Sequence, residues 1–518
     1  MDNSIESKPP LSVNDDEQEK RGEIVELNEE YTAEEEKAVL RKIDMVILPF
    51  MCFTFFLQYL DKQSLSYAAV FGLIDDLKMT SSQYSWCSSI FYVGQLVSEY
   101  PFIYLMSRLQ LTKFVGATVI IWGIICMCLA APTNYVGFAA VRFLLGFSEG
   151  AVSPAFVTIT SIWYRKSEHT LRTALWVTMN GLAQVVGCLL MYGIGKNTAL
   201  GLAPWRTLFL VCGALTTAAG VAFFVLMPTG PRDAWFLTPR EKVVLSLRMA
   251  QDREGGDKTS FSPGQLRETM LDPKAWAIFW FGVLVTMQSP VLTFASLVIK
   301  SIGYSQLDTM LYTAPSGAVQ IFVLWVGVAL CHFLPRQRTL VVLVLIIPPL
   351  IGNVFLMKLD VTAGWGLIVA SWLVSRITVI PDLGCPSLTS IVLQASCITA
   401  SMSILLSLSA SNVKGNTKRS ITNGMFFIGY CAGCIGAPQL WTNSPRYQQG
   451  VITAIVTWCL LFVAVIVYRV MCMRDNRKRD EEASSGRGDT AREVVLDKHG
   501  APKSDLTDKE DREFRYSW

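Results

Sequence analysis

The sequence predicts an all-α membrane protein with twelve transmembrane helices in two six-helix halves. Three observations carry that prediction. Of 518 residues, 51% are hydrophobic and 17% charged, with a mean hydropathy of +0.38, a balance that a soluble domain of this size does not show. The apolar residues are gathered into runs close to the 20 or so that a bilayer requires. A polar segment, residues 228–274, then divides those runs six from six. The net charge of +3 is too small to point to nucleic acid, and the basic residues have a better use in topology. Most of the 13 cysteines, such as Cys126, Cys128, Cys188, Cys212 and Cys459, stand inside apolar runs and read as small buried hydrophobes rather than a disulfide scaffold.

Residues 1–44 are polar and acidic, with neither the basic start nor the small-residue cleavage site of a signal peptide, and read as a disordered cytosolic tail. Near its end, Thr32 and Glu35 form a capping box that starts a helix leading through Arg41 and Lys42 into the first span, which ends at Tyr59-Leu60-Asp61-Lys62. Further spans near 84–106, 114–131, 136–158, 171–194 and 206–227 complete a first half, 45–227. In the linker, Thr238-Pro239-Arg240-Glu241 and Ser262-Pro263-Gly264-Gln265 each read as a helix start, with a capping residue, proline in the first turn and a side chain reaching back. The second half, 275–471, has apolar runs near 276–299, 310–333, 339–357, within 364–410, 421–441 and 450–471. Residues 472–518 read as a charged, solvated tail.

Basic residues orient the helices. Arg108 and Lys113, then Arg165, Lys166 and Arg172, the linker, Arg336 and Arg338, Lys414, Lys418 and Arg419, and the bases from Arg474 all fall in alternate loops; the intervening ones hold isolated bases such as Lys196, Arg206 and Lys300. By the positive-inside rule both termini are cytosolic. Arg108 and Lys113 read as a cytosolic gate or topology signal.

The chemistry is expected inside the membrane. Arg142 and Glu149 interrupt the apolar run from about Val136 to Thr158, and their seven-residue separation places them on one helix face two turns apart. A lone charge at the bilayer centre costs roughly 2.5 to 3.5 kcal/mol on insertion scales, so such residues face a bundle interior or an aqueous path. The competing reading is a structural cluster that holds helices together. Asn180, Gln288, Gln320 and Asn423 are uncharged polar candidates in later spans, suited to hydrogen-bonding a ureido or amide group or to bridging helices. An enzyme is set aside. His169, His332 and His499 are scattered, no nucleophile–base pair or phosphate-cradling glycine loop occurs, and Cys431-x-x-Cys434 has metal spacing without a nearby histidine. Neither a cofactor nor a metal is expected.

Several motifs occur together in order: Asp61-Lys62, Arg142-Phe-Leu-Leu-Gly-x-x-Glu149-Gly150, Trp163-Tyr164, Asp233-Ala-Trp-Phe-Leu237, Asp272-Pro-Lys-Ala-Trp276 and Ser411-Asn-Val-Lys-Gly-Asn-Thr-Lys-Arg419. Over roughly residues 40–472 the chain resembles the major facilitator superfamily, within it the anion:cation symporter family, and most of all that family's fungal allantoate permease branch. The resemblance implies two halves rocking about a midplane site and uptake of a small carboxylate with protons, such as allantoate, ureidosuccinate, nicotinate or pantothenate, by a monomer in the plasma membrane. It implies Asp61 and Glu149 as proton carriers, Arg142 as the partner that tunes Glu149, and Lys62 as the contact for the substrate carboxylate. The alternative is a nutrient sensor that has kept the fold and lost turnover. One departure stands out. Relatives run from Gly-Trp-Gly at the start of span ten directly into Asn-Val-x-Gly, whereas here roughly Val374–Thr399 is added between Gly364-Trp365-Gly366 and Asn412, as a retained intron would add it. The stretch from Ser387 is uncharged and long enough to rebuild the span.

Overall fold

The computed structural model describes residues 31–197, 201–252, 262–301, 304–334, 337–358, 386–441, 448–484 and 506–518, and among them the regular structure is helical, with no strand. The first 30 residues, residues 374–385 of the added stretch with Arg376, Pro381 and Asp382, and residues 485–505 lie outside the described residues.

The first half comprises α1 (Ala33–Val70), α2 (Ser81–Arg108), α3 (Leu111–Cys128), α4 (Tyr135–Glu149), α5 (Val152–Trp163), α6 (Lys166–Lys196) and α7 (Pro204–Leu226). Two linker helices follow, α8 (Pro239–Asp252) and α9 (Pro263–Met270). The second half comprises α10 (Pro273–Thr286), α11 (Pro290–Ser301), α12 (Gln306–Phe333), α13 (Arg338–Lys358), α14 (Pro386–Asn412), α15 (Asn416–Gly436) and α16 (Gln448–Ser484). Among the described residues, eight segments are long and apolar enough to cross a membrane: α1, α3, α4 with α5, α6, α7, α12, α15 and α16. The other expected spans are helical as well. α2 is long but more polar, while α10, α13 and α14 are apolar over shorter lengths. Span four breaks at Gly150 between α4 and α5. Span seven breaks before Pro290, whose ring and missing N–H disfavour a continuing turn.

Local chemistry explains two of the helix starts. The Thr32 hydroxyl accepts from the Glu35 N–H at 3.2 Å while the Thr32 N–H donates to the Glu35 carboxylate at 2.9 Å, and Thr238 with Glu241 does the same at 3.4 and 2.9 Å. α1 runs unbroken through residue 44, so the expected tail is helical from Ala33. Ser262 corrects the expectation of a second linker box. Its side chain makes no cap bond; instead its N–H donates to Thr417, and the Gln265 side chain accepts from the Lys418 N–H at 3.0 Å.

Ion pairs divide the linker between the halves. α8 is fastened to the first half by Lys42–Glu241 at 2.7 Å and by Arg248, fully buried between Glu36 and Glu168. α9 is fastened to the second by Lys418, which pairs with Glu268 at 2.8 Å and Asp272 at 2.9 Å. α1 starts on this linker face and α2 starts on the opposite one, where the halves meet. There Ser66 Oγ donates to Ser296 Oγ at 3.3 Å, Lys300 Nζ to the Val70 carbonyl at 2.8 Å, and Ser89 Oγ to the Ile435 carbonyl at 2.7 Å. Every cross-half bond just named lies away from the linker face.

Candidate functional site

The site grows from a close backbone contact. α2 and α4 approach until a Cβ on Gly146 would stand 1.9 Å from the Phe91 carbonyl oxygen, so only glycine permits the packing. That contact sets the Phe91 ring beside two cations: Arg142 Cζ lies 5.3 Å and Lys62 Nζ 5.6 Å from its centroid, within cation–π reach.

The charges sort themselves by helical phase. Adjacent residues on a helix diverge by about 100°, and Asp61 and Lys62 accordingly serve different neighbours. Asp61 is fully buried and turns toward α3 and α7, where Trp122 Nε1 donates to its Oδ2 at 2.7 Å and Thr216 Oγ1 at 3.1 Å. Its other oxygen has no protein partner. Lys62 turns toward α4 and pairs with Glu149 at 2.8 Å; Glu149 is wholly buried, whereas the lysine side chain keeps 18% exposure. Arg142, expected to tune Glu149, does not touch it directly. Its Nε donates to the Cys87 carbonyl at 3.4 Å and its Nη1 is unpartnered, so the cation in contact with Glu149 is Lys62. The reason is reach: Arg142 lies two turns back along α4, on the carbonyl of α2 that the Gly146 contact brings near.

The uncharged candidates do not form one cluster. Gln320 on α12 donates from Nε2 to Thr399 at 2.5 Å and keeps its carbonyl oxygen unpartnered; Asn180 on α6 likewise has a buried, unpartnered Oδ1. Gln288 bonds instead to Thr457 at 2.5 Å and the Ala454 carbonyl at 3.2 Å, a bridge to α16. Asn423 accepts from Ser409 at 3.4 Å. Of the two residues expected to be a gate or topology signal, Lys113 donates to the Phe224 carbonyl at 2.5 Å, tying α3 to the end of α7, and Arg108 lies 5.7 Å over Tyr104 of its own helix.

Sequence reasoning missed Gln58, Tyr59 and Gln184. Gln58 and Tyr59 have buried polar atoms without a partner, and Gln184 donates to Ser316 Oγ at 2.6 Å across the halves while its own carbonyl oxygen is unpartnered. Ser316 donates its proton to the Thr313 carbonyl, which fixes the direction of that bond. A signal existed: Gln58 precedes Lys62 by four residues and Gln184 follows Asn180 by four, each sharing a face with a residue already singled out. α6 and α12 cross there so closely that a Cβ on Gly317 would stand 2.4 Å from the Gly181 carbonyl oxygen.

Comparison with known proteins agrees with this architecture. Residues 51–438 match the Major Facilitator Superfamily. An uncharacterized transporter of Schizosaccharomyces pombe is 32% identical over 94% of this chain and 88% of its own. From Saccharomyces cerevisiae, the thiamine pathway transporter THI73 is 30% identical over 92% of this chain and 86% of its own, and allantoate permease 28% over 94% and 88%. Among solved structures, an inward-facing, occupied bacterial homologue of the human lysosomal transporter Spinster superposes with a TM-score of 0.56 at 15% identity, covering 82% of this chain and 96% of that one. A D-xylose-proton symporter gives 0.56 at 13%, covering 80% and 96%. The fold and these relatives together make the chain a membrane transporter, not an enzyme, and a member of the major facilitator superfamily.

Proposed function

We propose that this transporter carries a small organic anion together with protons, with the Lys62–Glu149 pair as the exchange point. The buried 2.8 Å pair is the observation that carries the reading, because its lysine is the partly exposed member and its glutamate the sealed one. A substrate carboxylate arriving from water meets Lys62 first and competes for the ammonium. Glu149, stripped of its cation in a dry site, is then stable only when a proton neutralises it. Anion and proton thereby enter as one event. Asp61, on its own donors next along α1, is the second proton carrier, and Arg142 holds a fixed positive field over Phe91.

The cation and the relative named as an allantoate permease support the substrate class: a ureide acid such as allantoate or ureidosuccinate, or a carboxylate vitamin such as nicotinate or pantothenate. Asn180, Gln320 and Tyr59 supply polar contacts for the rest of that molecule. The basic loops on the linker face support a cytosolic orientation for that face and both termini, and the plasma membrane is the proposed location, with the monomer as the working unit. The test is uptake of labelled allantoate, ureidosuccinate, nicotinate and pantothenate by cells expressing the protein, at acid and neutral external pH. At least one anion is expected to accumulate in a manner abolished by a protonophore. Uptake indifferent to the proton gradient overturns the coupling, and absence of uptake by protein present at the membrane favours a sensor.

A further inference from the structure

Residues 506–518, expected to be a solvated tail, are instead packed under the second half on the linker face. Thr507, Asp508 and Tyr516 are 0, 2 and 1% exposed, values a free tail does not reach. Two asparagines grip the backbone in both directions. Asn476 donates to the Tyr516 carbonyl and accepts from its N–H, each at 2.9 Å; Asn412 donates to the Ser517 carbonyl at 2.7 Å and accepts from its N–H at 2.8 Å. The Tyr516 ring faces Lys274 Nζ at 3.2 Å and Arg479 Cζ at 4.8 Å from its centroid, and its hydroxyl donates to Asp508 at 2.7 Å. Asp508 in turn pairs with Lys418 at 2.7 Å, Asp511 with Lys414, and Thr507 Oγ1 donates to Glu268 of α9 at 3.1 Å.

These contacts fall on the linker-side ends of α10, α14, α15 and α16 and on α9. They also fall where the halves must travel. α2 and α15 already meet across the halves away from the linker face, where Ser89 Oγ donates to the Ile435 carbonyl at 2.7 Å and, nearer mid-helix, the Tyr92 and Tyr430 centroids lie 6.0 Å apart. Rocking about that contact brings the other ends together, the end of α2 toward Lys414–Lys418, the segment on which the tail is seated.

We infer that residues 506–518 are an intramolecular latch that fastens α9 to the linker-side ends of α10, α14, α15 and α16 and restrains closure of the linker face. The partner this basic surface fits is therefore the chain's own acidic end. The inference rests on transport by rocking, not on any particular substrate.

Two readouts test it on the full-length protein. Trypsin cleavage at Arg512 and Arg515 in detergent-solubilised protein reports docking without reference to transport, and initial uptake of labelled allantoate reports turnover. Tyr516→Ala removes the central ring, Asp508→Asn cancels its charge, and Thr507→Glu sets a negative side chain against Glu268. In each, cleavage is expected to rise at least tenfold and the saturated uptake rate severalfold, with unchanged half-saturation. Exchanging Lys414→Asp with Asp511→Lys in one chain is expected to restore protection that either single change loses. Cleavage at the parental rate in all three variants overturns the docking. A freed tail with a parental or reduced uptake rate overturns the restraint, and a parent that takes up no allantoate counts against the proposed substrate while the cleavage result stands.

Discussion

Lys62 stands between water and a sealed carboxylate, and the consequences of altering either partner differ. Glu149→Gln fixes a neutral side chain of nearly the same shape. It is expected to leave substrate exchange at equal pH intact while reducing pH-driven accumulation to equality across the membrane, where one proton per anion gives the parent about tenfold per pH unit, or about 1.4 kcal/mol. Lys62→Gln is expected to abolish exchange as well, since the substrate carboxylate then meets no ammonium, and Arg142→Ala to do the same by removing the cation over Phe91. Counterflow and uptake in membrane vesicles, with protein level controlled, separate the three. An accumulating Glu149→Gln variant passes the coupling role to Asp61. The sequence pointed to these charges, because ionisable groups inside apolar runs stand out by their insertion cost alone. It did not show their pairing. Whether Glu149 meets Arg142 or Lys62 depends on how α1 is rotated against α4, and that rotation is set by packing around Gly146 and Phe91 rather than by spacing within either helix.

At the scale of helices, close approach is the property most exposed to mutation. Gly146→Ala drives a methyl into the Phe91 backbone of α2, which cannot give way as a flexible side chain would, and is expected to cost about 1 to 3 kcal/mol. Gly424→Ala, with nothing within 4 Å of its added carbon, is the control. A lower melting temperature in detergent for the first and not the second is the expected result. Helix starts at Thr32 and Thr238 were legible because a capping box is closed within four residues. Ser262 carried the same local signature and was misread, since its groups and those of Gln265 are used by Thr417 and Lys418, some 150 residues on. The tail was misread for the same reason: composition marks 506–518 as polar, but its partners Asn412, Lys418 and Asn476 come from three separate helices or their ends. Its ion pairs also set a pH expectation. Burial pushes the Asp272 carboxyl up, but Lys418 and Lys509 hold it below the ordinary range, and Lys414 does so for Asp511 against its own burial. With depressed folded-state values, their contribution is full above the ordinary value of about 3.9 and is lost as pH falls through the lower one. Docking is therefore expected to be constant from about pH 8 to 5 and to loosen only below about 4, read as hydrogen exchange over 506–518 corrected for its intrinsic pH dependence.

For the molecule as a whole, the arrangement of contacts corresponds to one end of the rocking cycle on which the further inference rests. Within the linker, α8 belongs to the first half by its ion pairs and α9 to the second, so each half carries its own electrostatic base. Among the bonds that join the halves, Ser66–Ser296, Lys300–Val70 and Ser89–Ile435 must break for the far face to open in such a cycle. Each is a single hydrogen bond, worth about 0.5 to 1.5 kcal/mol net, which suits a contact made and broken in every turnover. A covalent bond there is different in kind. The Ser66 and Ser296 hydroxyls already touch at 3.3 Å, so the pair Ser66→Cys and Ser296→Cys is expected to bridge under mild oxidant, while each single variant is not. The bridged protein should bind substrate from the linker side but neither take it up nor exchange it, and reductant should restore both. Transport unaffected by a bridge confirmed by mass would mean that the far face does not need to open, and alternating access about this site would have to be abandoned.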